Sequence, residues 1–437
     1  MRKISIIFRV ALTSVTAGMI LSSCGVYDKY SRPEVDVEYV EEVSTAPWRE
    51  VFTDGCLQAL IDSALTNGTD LGVALLRVEE AEASLRRAEL GFFPSVAASA
   101  AANPIPGSYS GGLTASWQVP LFGKIRNQKE YAKATLEERK AASEAVRSSL
   151  IAGVAASYYS LLLLDNQLEI SLRTLDNWDK TLSVLEALKL AGKTNDIAIL
   201  QAKAKRLNLE SSSNALRKNV EIAQNNLCSL CGITPRAIPR GKLEDFSAHS
   251  SLTGDIPLRA VASRPDVRRA ENVLAEAFYA TLSARAAFYP DVTISVGGSW
   301  NSVSSLVWNV LGGLTAPIFS RGANASQLRI AQAQQEEARL SFRQTLLDAG
   351  VDVRNALLQY SSASESLETD TKQRDALSSA VEKIELMMKY STTNYLEVLT
   401  AQQSLLDAEL RLSTDYKNVI AAYIAIYQAL GGGGTPD

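Results

Sequence analysis

One unit occurs twice in this chain, and that duplication constrains the fold more than any other feature. Residues 266–290, DVRRAENVLAEAFYATLSARAAFYP, lie without a gap on residues 70–94, DLGVALLRVEEAEASLRRAELGFFP, at an offset of 196 positions. Asp70, Ala74, Glu80, Ala81, Ala88, Phe92 and Pro94 then coincide with their counterparts. Further along, Thr194 to Gly232 matches Thr393 to Gly431 at an offset of 199, and Lys218-Asn219-Val220 falls on Lys417-Asn418-Val419. Any fold for this sequence has to build one structure twice and let the copies cover apolar faces that neither buries alone.

Each copy reads in the same order. Apolar residues at helical spacing follow Asp54 (Leu57, Leu60, Ile61, Ala64, Leu65) and Asp70 (Leu71, Leu75, Val78, Ala81, Leu85), and the second run stops before Pro94. Small residues then alternate with apolar ones: Leu113, Ala115, Trp117 and Val119 against Thr114, Ser116 and Gln118, and Val292, Ile294 and Val296 against Thr293 and Ser295. That is the period of a strand with one apolar face, and turn residues such as Asn103-Pro104 and Pro106-Gly107 divide each stretch into a hairpin. A proline-free helical pattern follows, from Lys124 to about Lys189 and from Gly322 to about Met388. A helix of about 65 residues extends roughly 100 Å and belongs to a coiled coil or a tube. Turns at Ala191 to Asn195 and Ser391 to Asn394 return the chain as helices from Ile197 to Leu230 and from Tyr395 to Leu430.

The N-terminus reads as an export signal. Arg2 and Lys3 precede an apolar core at Val10 to Leu21, and Leu21-Ser22-Ser23-Cys24 has the spacing of a lipobox, which makes Cys24 a lipidated first residue. No acidic residue follows at Gly25 to mark retention at the inner membrane. Beyond Cys24 no apolar run approaches the roughly 18 residues that a spanning helix needs. If the mature chain crosses a bilayer it does so as strands in a closed barrel. Each hairpin arm, of roughly ten residues, suffices to cross when tilted, and Trp117, Trp300 and Trp308 suit an interfacial girdle. Alternation alone fits two hairpins of a soluble sheet equally well.

Chemistry is sparse. A net charge of −4 carries no basic footprint for nucleic acid, and one histidine with four cysteines leaves little for metal or nucleophile chemistry. Cys228-x-x-Cys231 has redox or zinc spacing, yet the repeat aligns these positions with Tyr427 and Leu430, which favours core packing over an oxidised pair. Cys56 reads as buried on its helix, and His249 as solvated in a polar linker. Asp70 and Asp266 each open a helix, where a carboxylate caps backbone N–H groups. No catalytic constellation and no metal site emerge, so the sequence reads as neither an enzyme nor a cofactor protein beyond its covalent lipid.

These residues together resemble the outer-membrane factor family, the TolC/OprM-like exit ducts of tripartite efflux pumps, in its lipoprotein branch. The resemblance rests on Tyr30-Ser31-Arg32-Pro33, on Trp48 to Leu71, on Leu121-Phe122-Gly123, on Arg264-Pro265-Asp266 with Ala270-Glu271, on Pro317-Ile318-Phe319, and on Tyr395 to Gln402. It implies a mainly α chain whose trimer forms a membrane β-barrel continuous with a tunnel of long antiparallel coiled-coil helices. It also implies an outer-membrane location, a periplasmic adaptor and an inner-membrane transporter, of RND type, as partners. Pro120 and Ser320-Arg321-Gly322 depart from the family pattern where strand passes into helix. Thr400 stands where the family often carries Asp, so Asp196, Leu396 and Glu397 join Thr400 as the residues expected at the periplasmic gate.

The expected division is a signal peptide at 1–23, a lipid-anchored extended segment at 24–55, one repeat at 56–232 with its hairpin at about 95–122, and a crossover linker at 233–257. The second repeat follows at 258–431 with its hairpin at about 291–319, and a tail at 432–437. The expected function is passive conduction of small toxic compounds or drugs across the outer membrane. An exit duct for secreted polypeptides or for metals keeps the same tube, and a lipid-anchored coiled-coil scaffold without a pore is the reading of another class.

Overall fold

The structure, a computed structural model, describes residues 28–32, 47–103, 108–247, 258–301, 307–317, 321–389 and 395–432. The signal segment, Cys24, His249 and the last five residues lie outside them. Helices α1 (Trp48–Val51), α2 (Gly55–Asn67) and α3 (Thr69–Leu90) lead into strands β1 (Ser95–Asn103) and β2 (Ser108–Gln118). Helices α4 (Lys124–Leu190) and α5 (Asp196–Leu230) follow. The second copy supplies α6 (Pro265–Ala286), β3 (Asp291–Asn301), β4 (Val307–Thr315), α7 (Ala323–Lys389) and α8 (Tyr395–Ala429). The two very long helices each have 67 residues, about 100 Å of rise.

Two compact units divide the described residues. One holds Ala74–Ser143 and Asp266–Leu346 and contains all four strands; the other holds Glu144–Pro265 and Leu347–Asp437 with the helices that lead up to Val73. The strands form one antiparallel sheet in the order β1-β2-β3-β4, so the two copies meet at β2 and β3 and leave β1 and β4 as edges. Where each hairpin passes into a long helix, two successive residues adopt the left-handed conformation: Phe122 (φ 58) with Gly123 (φ 73), and Arg321 (φ 51) with Gly322 (φ 80). These pairs coincide at the repeat offset of 199. A non-glycine residue there costs about 1 kcal/mol, and stacking of Phe122 on Tyr289 (centroids 5.0 Å apart, planes at 13°) helps to hold the turn. Arg321-Gly322, where the sequence departs from the family pattern, thus keeps the backbone geometry of Phe122-Gly123.

Burial along α7 follows the seam of a coiled coil. Phe342, Leu346, Ala349, Val353 and Ala356 are buried at alternating steps of four and three, a 3.5-residue period. On α3 the same period runs through Leu71, Ala74, Val78, Ala81 and Leu85, so Leu75, expected in the buried stripe, is exposed. Leu76, Leu340, Leu347, Val351 and Leu358 are exposed as well, more apolar surface than one chain buries. One helix stretch, within Leu121–Leu190, does pass the length and composition test for a membrane span, contrary to expectation; half of that window is buried inside the protein, as in a core helix.

Caps explain the ends. Asp54 accepts from the N–H groups of Cys56 and Leu57 and starts α2. Asp70 and Asp266 sit in the first turns of α3 and α6, one residue inside the helix starts, and Asp266 Oδ1 accepts from the Val267 N–H at 2.9 Å. They complement the helix dipole. At the far ends Gly232 (φ 66) and Gly431 (φ 94) close α5 and α8, with Ile233 N–H reaching Cys228 O and Gly432 N–H reaching Tyr427 O. Arg264, nearly buried, donates to Ala429 O (3.1 Å) and pairs with Asp352, which gives the Arg-Pro-Asp motif a capping role on the last turn of α8. The crossover is strapped down by Phe246, whose ring meets Tyr159 (5.6 Å) and Tyr423 (5.4 Å) edge-on, and by Arg240 on Asp165. The stretch expected to be extended contains α1, and Cys56 is half-exposed, not buried.

Candidate functional site: a two-faced sheet and two helical turns

Register sorts the strand side chains onto two faces, because alternate residues point opposite ways. Pairing of Val96 with Ala115, Leu113 with Gly298, Trp117 with Ile294, and Val310 with Val296 makes one face apolar throughout. The opposite face carries Ser99, Ser110, Thr114, Ser116, Thr293, Ser295, Ser299 and Asn309, interrupted on β4 by Val307 and Leu311. Neither face is covered within the chain: every residue of β4 is exposed, and Val96, Val310 and Leu314 are each at least 70% exposed. The unpaired edges β1 and β4 present free ladder groups.

Trp117, Trp300 and Trp308 all lie on the apolar face. Trp117 is at the end of β2 next to the helices, where its Nε1 donates to Phe92 O at 2.9 Å. Trp300 and Trp308 lie in the other half of the sheet and use glycines as seats. A Cβ at Gly111 would meet the Trp300 ring at 2.3 Å, and one at Gly298 would meet Trp308 at 3.1 Å. At the strand ends nearest the helices, Asp291 lies on the polar face: its Oδ2 accepts from Lys124 Nζ at 2.7 Å and its Oδ1 from Gln118 Nε2 at 2.9 Å.

The residues expected at the gate lie at the N-termini of α5 and α8. Asn195 caps α5 by accepting from Ala198 N–H, and the adjacent Asp196 pairs with Lys189 of α4, its own hairpin partner. Leu396 is exposed, Glu397 sits in the first turn of α8, and the Thr400 hydroxyl donates back to Leu396 O at 2.8 Å. Asp196 thus belongs to the hairpin of the first copy, and Leu396, Glu397 and Thr400 share the first turns of α8 in the second. The two helical hairpins are joined by Arg173 on Glu409, by Gln167 on Thr414, and by Gln402, which the sequence offers only as the last residue of a motif and not as a site. Gln402 is 7% exposed, and its Nε2 donates to Thr181 Oγ1 on α4 (3.0 Å) and Glu385 Oε1 on α7 (2.9 Å). It lies beside an apolar cluster drawn from all four long helices, with Trp178, Leu185, Ala198, Ala202, Met388, Val398 and Leu406. The available signal was a polar residue in the stripe Val398, Gln402, Leu406.

Two further groups are electrostatically unusual. Asp415 on α8 is pushed up to about 6, by burial first and then by the carboxylate of Asp370, while Arg411 opposes the rise. Cys228 and Cys231 are free and fully buried, and burial, with Cys228 adding, pushes Cys231 up to about 11. Among the described residues no group of His, Cys, Asp and Glu has the arrangement to hold a metal ion.

A family model described as outer membrane efflux protein matches residues 60–233 and 256–432. The probable outer membrane lipoprotein SilC of Salmonella typhimurium is 29% identical over 98% of this chain and 99% of its own length. The cation efflux system protein CusC of Escherichia coli K12 is 28% identical over 95% and 97%. A crystal structure of CusC, reported with its transmembrane channel formation, superposes with a TM-score of 0.83 at 27% identity, covering 93% of this chain and 99% of that one. The solvent efflux pump outer membrane protein SrpC of Pseudomonas putida is 26% identical over 88% and 87%.

Proposed function

Because the chain belongs to the outer membrane efflux protein family, we propose that three copies join their sheet edges into a barrel of about twelve strands, which conducts small toxic compounds outward. The observation that carries this reading is the sheet: one face wholly apolar, the other lined with hydroxyls, both edges unpaired. Lipid covers the first face, water fills the lumen against the second, and β4 of one copy pairs with β1 of the next. Trp117 then anchors the periplasmic interface, Trp300 and Trp308 the outer one, and a lipid on Cys24 tethers the chain to the outer membrane.

The tunnel helices continue into the periplasm, where an adaptor and an inner-membrane transporter of RND type dock and supply the energy. Asp196, Leu396, Glu397 and Thr400 line the closing end. Polar contacts of the kind made by Gln402 are few and hold packed helices in one of two arrangements, so engagement of the partners opens the end while the coiled-coil walls persist. Cations are a second cargo reading, favoured by the name and near full-length similarity of CusC. Growth of a deletion strain on metal salts, organic solvents and drugs separates the two by which sensitivity the gene restores.

The test of the duct itself is native mass and electron microscopy of the detergent-extracted protein. A threefold tube at least roughly 100 Å long, the rise of the long helices, is expected. A monomeric or dimeric rod without a lumen sinks the duct and leaves a lipid-anchored scaffold.

A further inference from the structure

The hairpins are almost free of charge. Residues 95–119 contain no Asp, Glu, Lys, Arg or His, and residues 291–317 contain one such residue, Asp291; the whole chain carries 44 basic and 48 acidic residues in 437. At the chain's average the two stretches would hold several times as many, so the wall they form is uncharged by composition and not by chance. The single carboxylate is neutralised. Asp291 begins β3 on the polar face, opposite Thr315, and Lys124, the first residue of α4, reaches it across the strand-to-helix junction. Gln118 occupies the other carboxylate oxygen. Both members of the pair are half-exposed, and exposed ion pairs add little to stability, so the pair matters more for the field in the lumen than for the fold.

We infer that Lys124 sets the charge selectivity of the strand wall: its ammonium cancels Asp291, the one charge on the strands, so the wall itself does not discriminate solute charge. This rests on the trimeric barrel proposed above, in which three such pairs ring the lower rim of the lumen. Discrimination between cargoes then belongs to the helical tunnel and the pump, and a neutral hydroxyl-lined exit passes cationic and uncharged solutes alike.

The experiment uses the full-length trimer in planar bilayers under a potassium chloride gradient, with spermine added from the barrel side as a polycationic probe. For Lys124→Gln, which exposes three carboxylates, the reversal potential should shift toward cations and spermine should block at a concentration at least about tenfold lower than for the wild type. Asp291→Asn, which leaves three ammonium groups, should shift the reversal potential toward anions, and it keeps the inference testable if Lys124→Gln fails to assemble. Lys124→Gln with Asp291→Asn should return both readouts to wild-type values. A conducting wild type whose selectivity and spermine response do not change in either single variant overturns this inference alone. A wild-type preparation that never conducts overturns the duct and this inference together.

Discussion

Replacing Gln402 with alanine should open the periplasmic end. The side chain makes two hydrogen bonds, to Thr181 Oγ1 and Glu385 Oε1, from an almost fully buried position. A neutral hydrogen bond contributes about 1 kcal/mol net and one to a carboxylate about 1.5–3. Neither partner is stranded by the change: Thr181 still donates to Asn177 O at 3.0 Å, and Glu385 lies on an exposed part of α7 where water replaces the amide. The loss is therefore about 2 kcal/mol per protomer, and three protomers moving together shift the balance by about 6 kcal/mol, roughly a factor of 10⁴ in the ratio of open to closed ends.

Single-channel recording should show a larger, longer-lived conductance, and cells carrying the variant should become sensitive to a large antibiotic that the closed duct excludes. Thr181→Val removes the acceptor from the other side, so its effect combined with Gln402→Ala should fall short of the sum of the two. If Gln402→Ala lowers the melting temperature but leaves conductance and antibiotic exclusion at wild-type levels, the contact is only structural and the reasoning fails.

In the sheet, Gly111→Ala drives a methyl into Trp300 and should abolish the heat-resistant trimer on a denaturing gel, whereas Gly312→Ala, with nothing within 4 Å of the added carbon, should leave it intact. Cys231, with its thiol pushed up to about 11, should be about one part in a thousand thiolate at pH 8, so maleimide should modify Cys56 but neither Cys228 nor Cys231 until the protein is denatured. Asp415 binds its proton more tightly folded than unfolded, so stability should fall as pH rises from about 4 to 6, and Asp415→Asn should flatten the melting temperature across that window. An unchanged slope in Asp415→Asn would place the titration elsewhere.

Much of this molecule is legible in the sequence because its signals are periodic. The long helices end within a residue or two of where the pattern and the turn residues end them, since Gly192, Gly232 and Gly431 stop helices by a backbone conformation that other residues resist. The strands are legible because each hairpin alternates Ser or Thr with apolar residues. Less legible is anything set by partners distant in the chain. Leu75 and Ala74 both satisfy a helical stripe, and only the 3.5-residue period of a supercoil selects Ala74. Asp70 looks like a cap because caps and first-turn acids share chemistry and differ by one residue of phase. Asp291 is more than 160 positions from both Lys124 and Gln118, and composition does not say that they meet.

The two copies, alike in order, differ in burial, and that difference bears on gating. Helix α5 buries 7 of its 35 residues and α8 buries 15 of 35, with apolar side chains nearly all round its last turns. A helix with apolar residues on every side is held in the interior, and one with a single stripe stays at the surface. At the repeat offset, the counterpart of buried Gln402 is Lys203, which is exposed on α5. A symmetric duplication would hold both hairpins with equal strength and supply no preferred mover. Here the copy with the buried returning helix also carries the polar clasp, so releasing the clasp loosens α8 against a partner hairpin whose own surface is unaffected. Lys203→Ala, at the matching place in the first copy, should therefore leave the conductance of the isolated trimer unchanged. An open channel from Lys203→Ala would mean that both hairpins move, and that the asymmetry in burial has no part in the gate.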